Sequence, residues 1–262
     1  MRISKIIVSA LFVAAVCAGC KSKFEALLSG NDADAKYEEA FRLYNTKKFK
    51  KAAQMFESLS LLTAGMDRDD TVRFYWALSN YKYKDFITAE ANFKSFTELY
   101  PRSPFISQAR FLRLDCMYRS TYRYELDQGP TNLAIVAISE YMIEFPQSEH
   151  YGTCRKMLDE LNMRLDTKAF EAARLYFKME DYIAAKTAFK NILKDDADNS
   201  YREQILYYIA KADFKYAQNS VSSKQKERYM EFVDAYLNFI GEYPDSQYRK
   251  ELDQMYAKAK GI

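Results

Sequence analysis

Histidine is almost absent from this 262-residue chain, which has only His150. One imidazole cannot build a multi-histidine zinc site, an HExxH helix, or a Ser-His-Asp centre with a histidine to spare. Glycine and proline are nearly as scarce, at 7 and 5, and no proline precedes Pro101. So few turn formers cannot supply the tight turns of a β-sandwich or barrel. An excess of one charge is also lacking: 39 Lys and Arg stand against 36 Asp and Glu, a formal net charge of +3. That balance, without a basic stripe, argues against a nucleic-acid binder. Aromatics are abundant instead, with 22 Tyr and 18 Phe in a chain that is 48% hydrophobic. A packed helical core is expected, with little visible chemistry.

The longest apolar run, Ile6 to Val16, is broken only by Ser9. It is shorter than the roughly 20 residues that span a bilayer. Arg2 and Lys5 precede it, and Ala18 and Gly19 lead into Cys20. This order resembles a bacterial lipobox, in which the chain is cut before a cysteine that carries lipid. It predicts a signal peptide over 1–19, a lipid anchor on Cys20 and a tether over 20–35. Several acyl chains on one cysteine would hold the chain firmly, whereas one alone is marginal. Lys21, rather than Asp, resembles the signal for outer-membrane sorting. No cofactor is expected beyond the covalent lipid on Cys20, and no metal. Cys116 and Cys154 both fall in predicted helices; a disulfide is allowed in an oxidising compartment, and two separate buried thiols are the other reading.

The body repeats itself. Ala40, Leu43, Phe49, Ala52, Phe56 and Leu59 recur 37 residues later as Ala77, Asn80, Phe86, Ala89, Phe93 and Phe96. A third copy with the same internal spacing is Ala173, Tyr176, Tyr182, Ala185, Phe189 and Ile192. Small residues let two helices approach closely, and aromatics fill the space between them and the next pair. These patterns resemble tetratricopeptide repeats. A closing signal recurs as Tyr100-Pro101-Arg102-Ser103, Phe145-Pro146-Gln147-Ser148 and Tyr243-Pro244-Asp245-Ser246. Proline ends the helix, and the serine is placed to cap the next one. The fourth repeat has no such proline, which leaves its end open.

The expected fold is all-α: a tetratricopeptide superhelix (solenoid) of about five helix pairs. The second helix of each pair begins near Phe49, Phe86, Thr131, Tyr182 and Tyr229. Loops are expected at Tyr124–Pro130 and Gln218–Gln225. No helix breaker occurs from Thr153 to Glu180, so one long central helix is predicted over about 150–179, with Leu158, Leu161, Leu165, Phe170, Ala173 and Phe177 on its apolar side. The first-helix side chains Tyr37, Phe41, Tyr44, Phe74, Leu78 and Tyr81 fall where this repeat family lines its concave groove. They are candidates for binding extended peptides, since Tyr brings apolar area and a hydroxyl at low entropy cost. His150 follows a helix cap and reads as structural.

Lipobox, five helix pairs, aromatic-Pro-x-Ser closures and the long helix together resemble the BamD family of the β-barrel assembly machinery. The most specific stretch runs from His150 to Ile192, with Ser148 and Tyr151 opening the helix and Ala173-Arg174-Leu175-Tyr176-Phe177 and Tyr182-Ile183-Ala184-Ala185 near its end. The resemblance implies repeats 1–3 over 36–148, then a connecting helix and repeats 4–5 over 149–262. It implies a lipid-anchored, non-enzymatic scaffold on the periplasm-facing leaflet of the outer membrane. Its implied partners are the POTRA domains of a BamA-like insertase and unfolded outer-membrane proteins. The alternative is another periplasmic repeat lipoprotein, such as one coordinating cell-wall synthesis. An enzyme such as a lytic transglycosylase would need a separate Gly-rich catalytic domain, and no segment is left for it.

Overall fold

The computed structural model describes residues 23–261. The expected signal peptide and Cys20 lie outside the described residues. Twelve helices occur among the described residues, and no strand. They are α1 (Lys23–Ser29), α2 (Ala33–Asn45), α3 (Phe49–Ser60), α4 (Asp69–Tyr83), α5 (Phe86–Leu99) and α6 (Ile106–Arg119). They continue as α7 (Gly129–Glu144), α8 (Tyr151–Lys178), α9 (Tyr182–Asp195), α10 (Arg202–Gln218), α11 (Ser222–Glu242) and α12 (Arg249–Ala259). No helix among them is long and apolar enough to cross a membrane. The contacts divide the chain into two units, up to Thr121 and from Tyr122. The expected third pair, α6 and α7, therefore falls on either side of that division.

In the first unit each helix from α2 to α6 packs on the next, and α1 lies on α2 and α3. The segment expected to be a tether to residue 35 thus carries α1 and the opening of α2. One core gathers Ala40, Ala52, Met55, Phe56 and Leu59; the next gathers Phe74, Ala77, Ala89, Phe93 and Phe96. In the second unit α7 packs on α8, α8 on α9, and so on to α12. Its core includes Phe170, Ala173, Ala185, Phe189, Phe214, Phe232 and Phe239.

Within three of the pairs the turn has one geometry. Lys47, Lys84 and Glu180 each take a left-handed conformation, with φ of 59°, 71° and 62°. The following amide donates five residues back: Lys48 to Leu43, Asp85 to Asn80 and Asp181 to Tyr176, at 2.9–3.1 Å. This is a Schellman closure made without glycine. Asp85 and Asp181 then cap the next helix, accepting from the amides of Thr88 (3.2 Å) and Ala184 (3.0 Å).

Between pairs a second turn recurs. Ser103, Ser148 and Ser246 do not bond inside the next helix, as expected of a cap. Each hydroxyl accepts from the amide two residues on, that of Phe105, His150 or Tyr248, at 3.0–3.3 Å. Asn199 does the same for Tyr201 at 3.0 Å. The proline-free fourth closure therefore matches the others, because a short carboxamide can form the same local turn.

The long helix spans Tyr151–Lys178, as the uninterrupted pattern predicts. Its buried residues are Cys154, Met157, Leu161, Phe170 and Ala173, while Leu158, Leu165 and Phe177 are half-buried. The expected loop at Gln218–Gln225 needs correction: α11 starts at Ser222, seven residues before Tyr229. Lys224 to Arg228 are good helix formers, and Gln225 donates to the carbonyls of Gln218 (3.3 Å) and Ser220 (3.1 Å). That bond satisfies the end of α10 and lets α11 begin early.

Candidate interaction surfaces

The expected packing residues mostly sit in the cores. Ala40, Ala52, Phe56, Ala77, Ala89, Phe93, Ala173, Ala185 and Phe189 are buried, and Phe49, Phe86 and Tyr182 half-buried. Tyr176 is a correction, being 45% exposed. It lies just before the α8–α9 turn and shares the surface with Leu175, Met179 and Ile183.

The six candidate groove residues separate into two sets. Phe74 is 2% exposed and Leu78 8%, so neither lines an open face. The reason is the next pair: Phe105 stacks on Phe74 at 4.4 Å, and Ala109 and Leu112 of α6 join the same core. Tyr37, Phe41, Tyr44 and Tyr81 stay half-buried. Three of them meet around Tyr75, which sequence reasoning missed. Phe41 lies 4.7 Å and Tyr44 5.1 Å from the Tyr75 ring, and Tyr37 4.8 Å from Phe41. Tyr75 adjoins the buried Phe74 in sequence, so a repeat offset alone could not separate the two. Arg68 sits 5.1 Å over Tyr37. The result is a partly accessible aromatic row with a cation at one end, suited to apolar and aromatic side chains of an extended segment.

Tyrosine hydroxyls engage carboxylates on neighbouring helices. Tyr81 donates to Asp115 (2.6 Å), Tyr207 to Glu251 (2.6 Å), Tyr236 to Asp253 (2.7 Å) and Tyr100 to Asp69 (2.5 Å). Burial, helped by these carboxylates, pushes Tyr81, Tyr207 and Tyr236 up to about 12. Arg119 also bonds Asp115, and Lys186 bridges buried Asp213 and Glu231 at 2.6 Å each. These groups join helices; none is arranged as a nucleophile beside a base.

Cys116 and Cys154 are free and buried, which settles the open alternative in favour of separate thiols. Burial, with the charge of Asp115, pushes the Cys116 thiol up to about 12, away from thiolate reactivity. Among the described residues no group of His, Cys, Asp and Glu could hold a metal ion. His150 occupies the residue before α8, half-buried, 3.5 Å from Glu149. Phe105, Tyr201 and Tyr248 hold the same place in their repeats, and each stacks on an aromatic of the preceding helix pair, at 4.4, 4.6 and 4.3 Å.

Paired helices with recurring left-handed turns and recurring aromatic closures define a tetratricopeptide-type repeat protein. The family model described as "YfiO: Outer membrane lipoprotein" matches residues 30–229, and the chain belongs to this family. A relative in Rickettsia prowazekii (strain Madrid E), named outer membrane protein assembly factor BamD, is 24% identical over 216 residues, covering 81% of this chain and 84% of its own. Its namesake in Caulobacter vibrioides is 24% identical over 134 residues, covering 51% of this chain and 44% of its own. Among solved structures, the TPR2AB-domain:pHSP90 complex of yeast Sti1 aligns with a TM-score of 0.41 at 18% identity, covering 87% of this chain and 98% of that one. A thermophilic TPR protein of Thermus thermophilus aligns with a TM-score of 0.31 at 15% identity, covering 88% and 100%. At those scores neither structure carries weight beside the repeat geometry of the chain itself.

Proposed function

We propose that this chain is a lipid-anchored scaffold of the β-barrel assembly machinery in the outer membrane, facing the periplasm. The supporting observation is membership of an outer-membrane lipoprotein family whose relatives are named assembly factors. Cys20, at the end of a lipobox-like sequence, is the anchor. The second unit docks on POTRA domains of the barrel insertase. The half-buried row of Tyr37, Phe41, Tyr44 and Tyr75 receives segments of unfolded outer-membrane proteins. The mechanism needs no bond-making: helix pairs hold the aromatic row in place before the client arrives, and so reduce the entropy lost on binding.

Pull-down of the native chain from outer-membrane extract tests the reading. Recovery of a POTRA-containing barrel protein is the expected result. Recovery of cell-wall synthases without it would move the chain to a cell-wall scaffold. Labelling with a clickable palmitate analogue tests the anchor: Cys20→Ser should abolish it, and persistent labelling refutes the assignment. Lys226, Lys250 and Lys258 are exposed on α11 and α12. Reversing these three to Glu should weaken insertase binding while the helical circular-dichroism signal stays unchanged.

A further inference from the structure

The α2–α3 turn concentrates charge in a chain that is otherwise balanced. Lys47, Lys48, Lys50 and Lys51 fall within five positions and are all exposed. α1 packs beside them, on α2 and α3. Between them opens a cleft of about 310 Å³, lined by Lys23, Lys48 and Lys51 with Phe24 and Leu27 on its apolar side. Among the described residues lining it, the one carboxylate is Glu39, which Arg42 grips through two hydrogen bonds of 2.6 Å. Arg42 holds the Glu39 carboxyl below the usual range against the opposing effect of burial, and the charges of Lys23 and Lys48 add to it. The Lys51 ammonium sits 5.1 Å over the Phe24 ring, so an apolar wall and a cation share one edge. Three cations, one neutralised carboxylate and an apolar wall suit a phosphate group attached to something greasy.

The seat of α1 is built firmly. Lys36 is 2% exposed, and its ammonium donates to the Leu28 carbonyl at the end of α1 (2.9 Å) and to Ser58 (2.5 Å). Ser58 donates to the same carbonyl at 3.0 Å. A cation at a helix C-terminus is favourable, and here it ties α1 to both helices that form the cleft.

Lys23 stands three positions after Cys20 in the sequence. Three residues reach at most about 10 Å. An acylated Cys20 therefore keeps Lys23, on the edge of this cleft, within about 10 Å of the lipid-bearing residue, close to the Debye length of about 8 Å. We infer that the Lys23–Lys48–Lys51 cleft is a membrane-docking site that takes the phosphate headgroup of an anionic lipid and orients the first helix pairs against the leaflet. This rests on the anchored reading above. It goes beyond it by giving the membrane a second, electrostatic contact.

Flotation of the full chain carrying Cys20→Ser isolates the electrostatic contact from acylation. Vesicles of phosphatidylcholine alone are compared with vesicles holding about one third phosphatidylglycerol, where each basic residue near the surface adds about fivefold to partitioning. A preference of at least about tenfold for the anionic vesicles is expected, collapsing near 1 M salt, where the Debye length is about 3 Å. Replacing Lys23, Lys48 and Lys51 with Gln should remove most of it. Replacing Lys156, Lys190 and Lys194, exposed in the second unit, with Gln should leave it. Equal loss in both triple variants, or no loss in the first, overturns the site. Inorganic phosphate that protects the cleft lysines from acetylation, without any vesicle preference, would assign the cleft to free phosphate and also overturn it. Palmitate labelling of the unsubstituted chain tests the anchor alone: no labelling would overturn the anchored reading and with it the cleft's place at the leaflet, whereas labelling with no vesicle preference would overturn the cleft alone.

Discussion

At the scale of single residues, the choice between tyrosine and phenylalanine carries information. Phe56, Phe93, Phe189, Phe232 and Phe239 are fully buried with no polar atom to satisfy. Tyr81, Tyr207 and Tyr236 occupy sites where the ring is packed and the hydroxyl meets a carboxylate of another helix. Tyr81→Phe leaves Asp115, which is 4% exposed, with one partner fewer. It should lose about 1–2 kcal/mol in urea unfolding. Asn80 gives the opposite case. Repeat alignment places it where the first repeat has Leu43, and its amide nitrogen is buried without a partner. Asn80→Leu should therefore gain about 1 kcal/mol, seen as a higher denaturation midpoint with an unchanged slope. The sequence showed Asn80 to be the odd member of its set. It could not show whether the amide would find a partner, because that depends on side chains from other helices.

At the scale of elements, the helices were largely legible. The starts at Phe49, Phe86 and Tyr182 and the long helix over 151–178 follow from apolar spacing and the lack of breakers. The turns were less so. Lys47, Lys84 and Glu180 give no hint of a left-handed backbone, since glycine usually marks it. Each is held there by the helix-ending bonds on either side. Lys84→Gly and Glu180→Gly should each stabilise by about 0.5–1 kcal/mol, and a thermal melt would show it. The fourth closure was hidden for a similar reason. Asn199 does the work of serine, and its amide also donates to Asp166 at 2.9 Å. Asn199→Ala should destabilise the second unit by about 1–2 kcal/mol, with Asn199→Ser recovering part of the loss. Equal effects of both variants would show that the turn bond is unimportant. α11 began earlier than its aromatic pattern because polar helix formers can extend a helix that the hydrophobic period does not mark.

At the scale of the whole molecule, the tyrosine–carboxylate pairs set a pH limit. Tyr81, Tyr207 and Tyr236 ionise near 12 in the folded chain, and unfolded tyrosine ionises near about 10. Between those values the unfolded chain holds fewer protons than the folded one, so stability falls as pH rises through that window. Below about 10 both states are protonated and these groups add no slope. Denaturation midpoints across alkaline pH should drop in that interval, and less steeply in a Tyr207→Phe, Tyr236→Phe variant. Tyrosinate absorbance should show a late-titrating fraction that merges with the rest once the chain unfolds.

Composition and spacing were sufficient by themselves for an all-helical repeat, because helix periodicity, small-residue offsets and breakers are local properties of the chain. They also pointed to the family that the matches establish. Burial was different. Tyr37 and Phe74 occupy equivalent repeat positions, yet one stays half-exposed and the other is sealed by Phe105. Tyr176 copies a packing position and lies open. Lys23 and Lys48 are distant in sequence and line one cleft because Lys36 pins the first helix. A repeat motif specifies what a side chain can pack against, and only the neighbouring helices decide whether anything covers it.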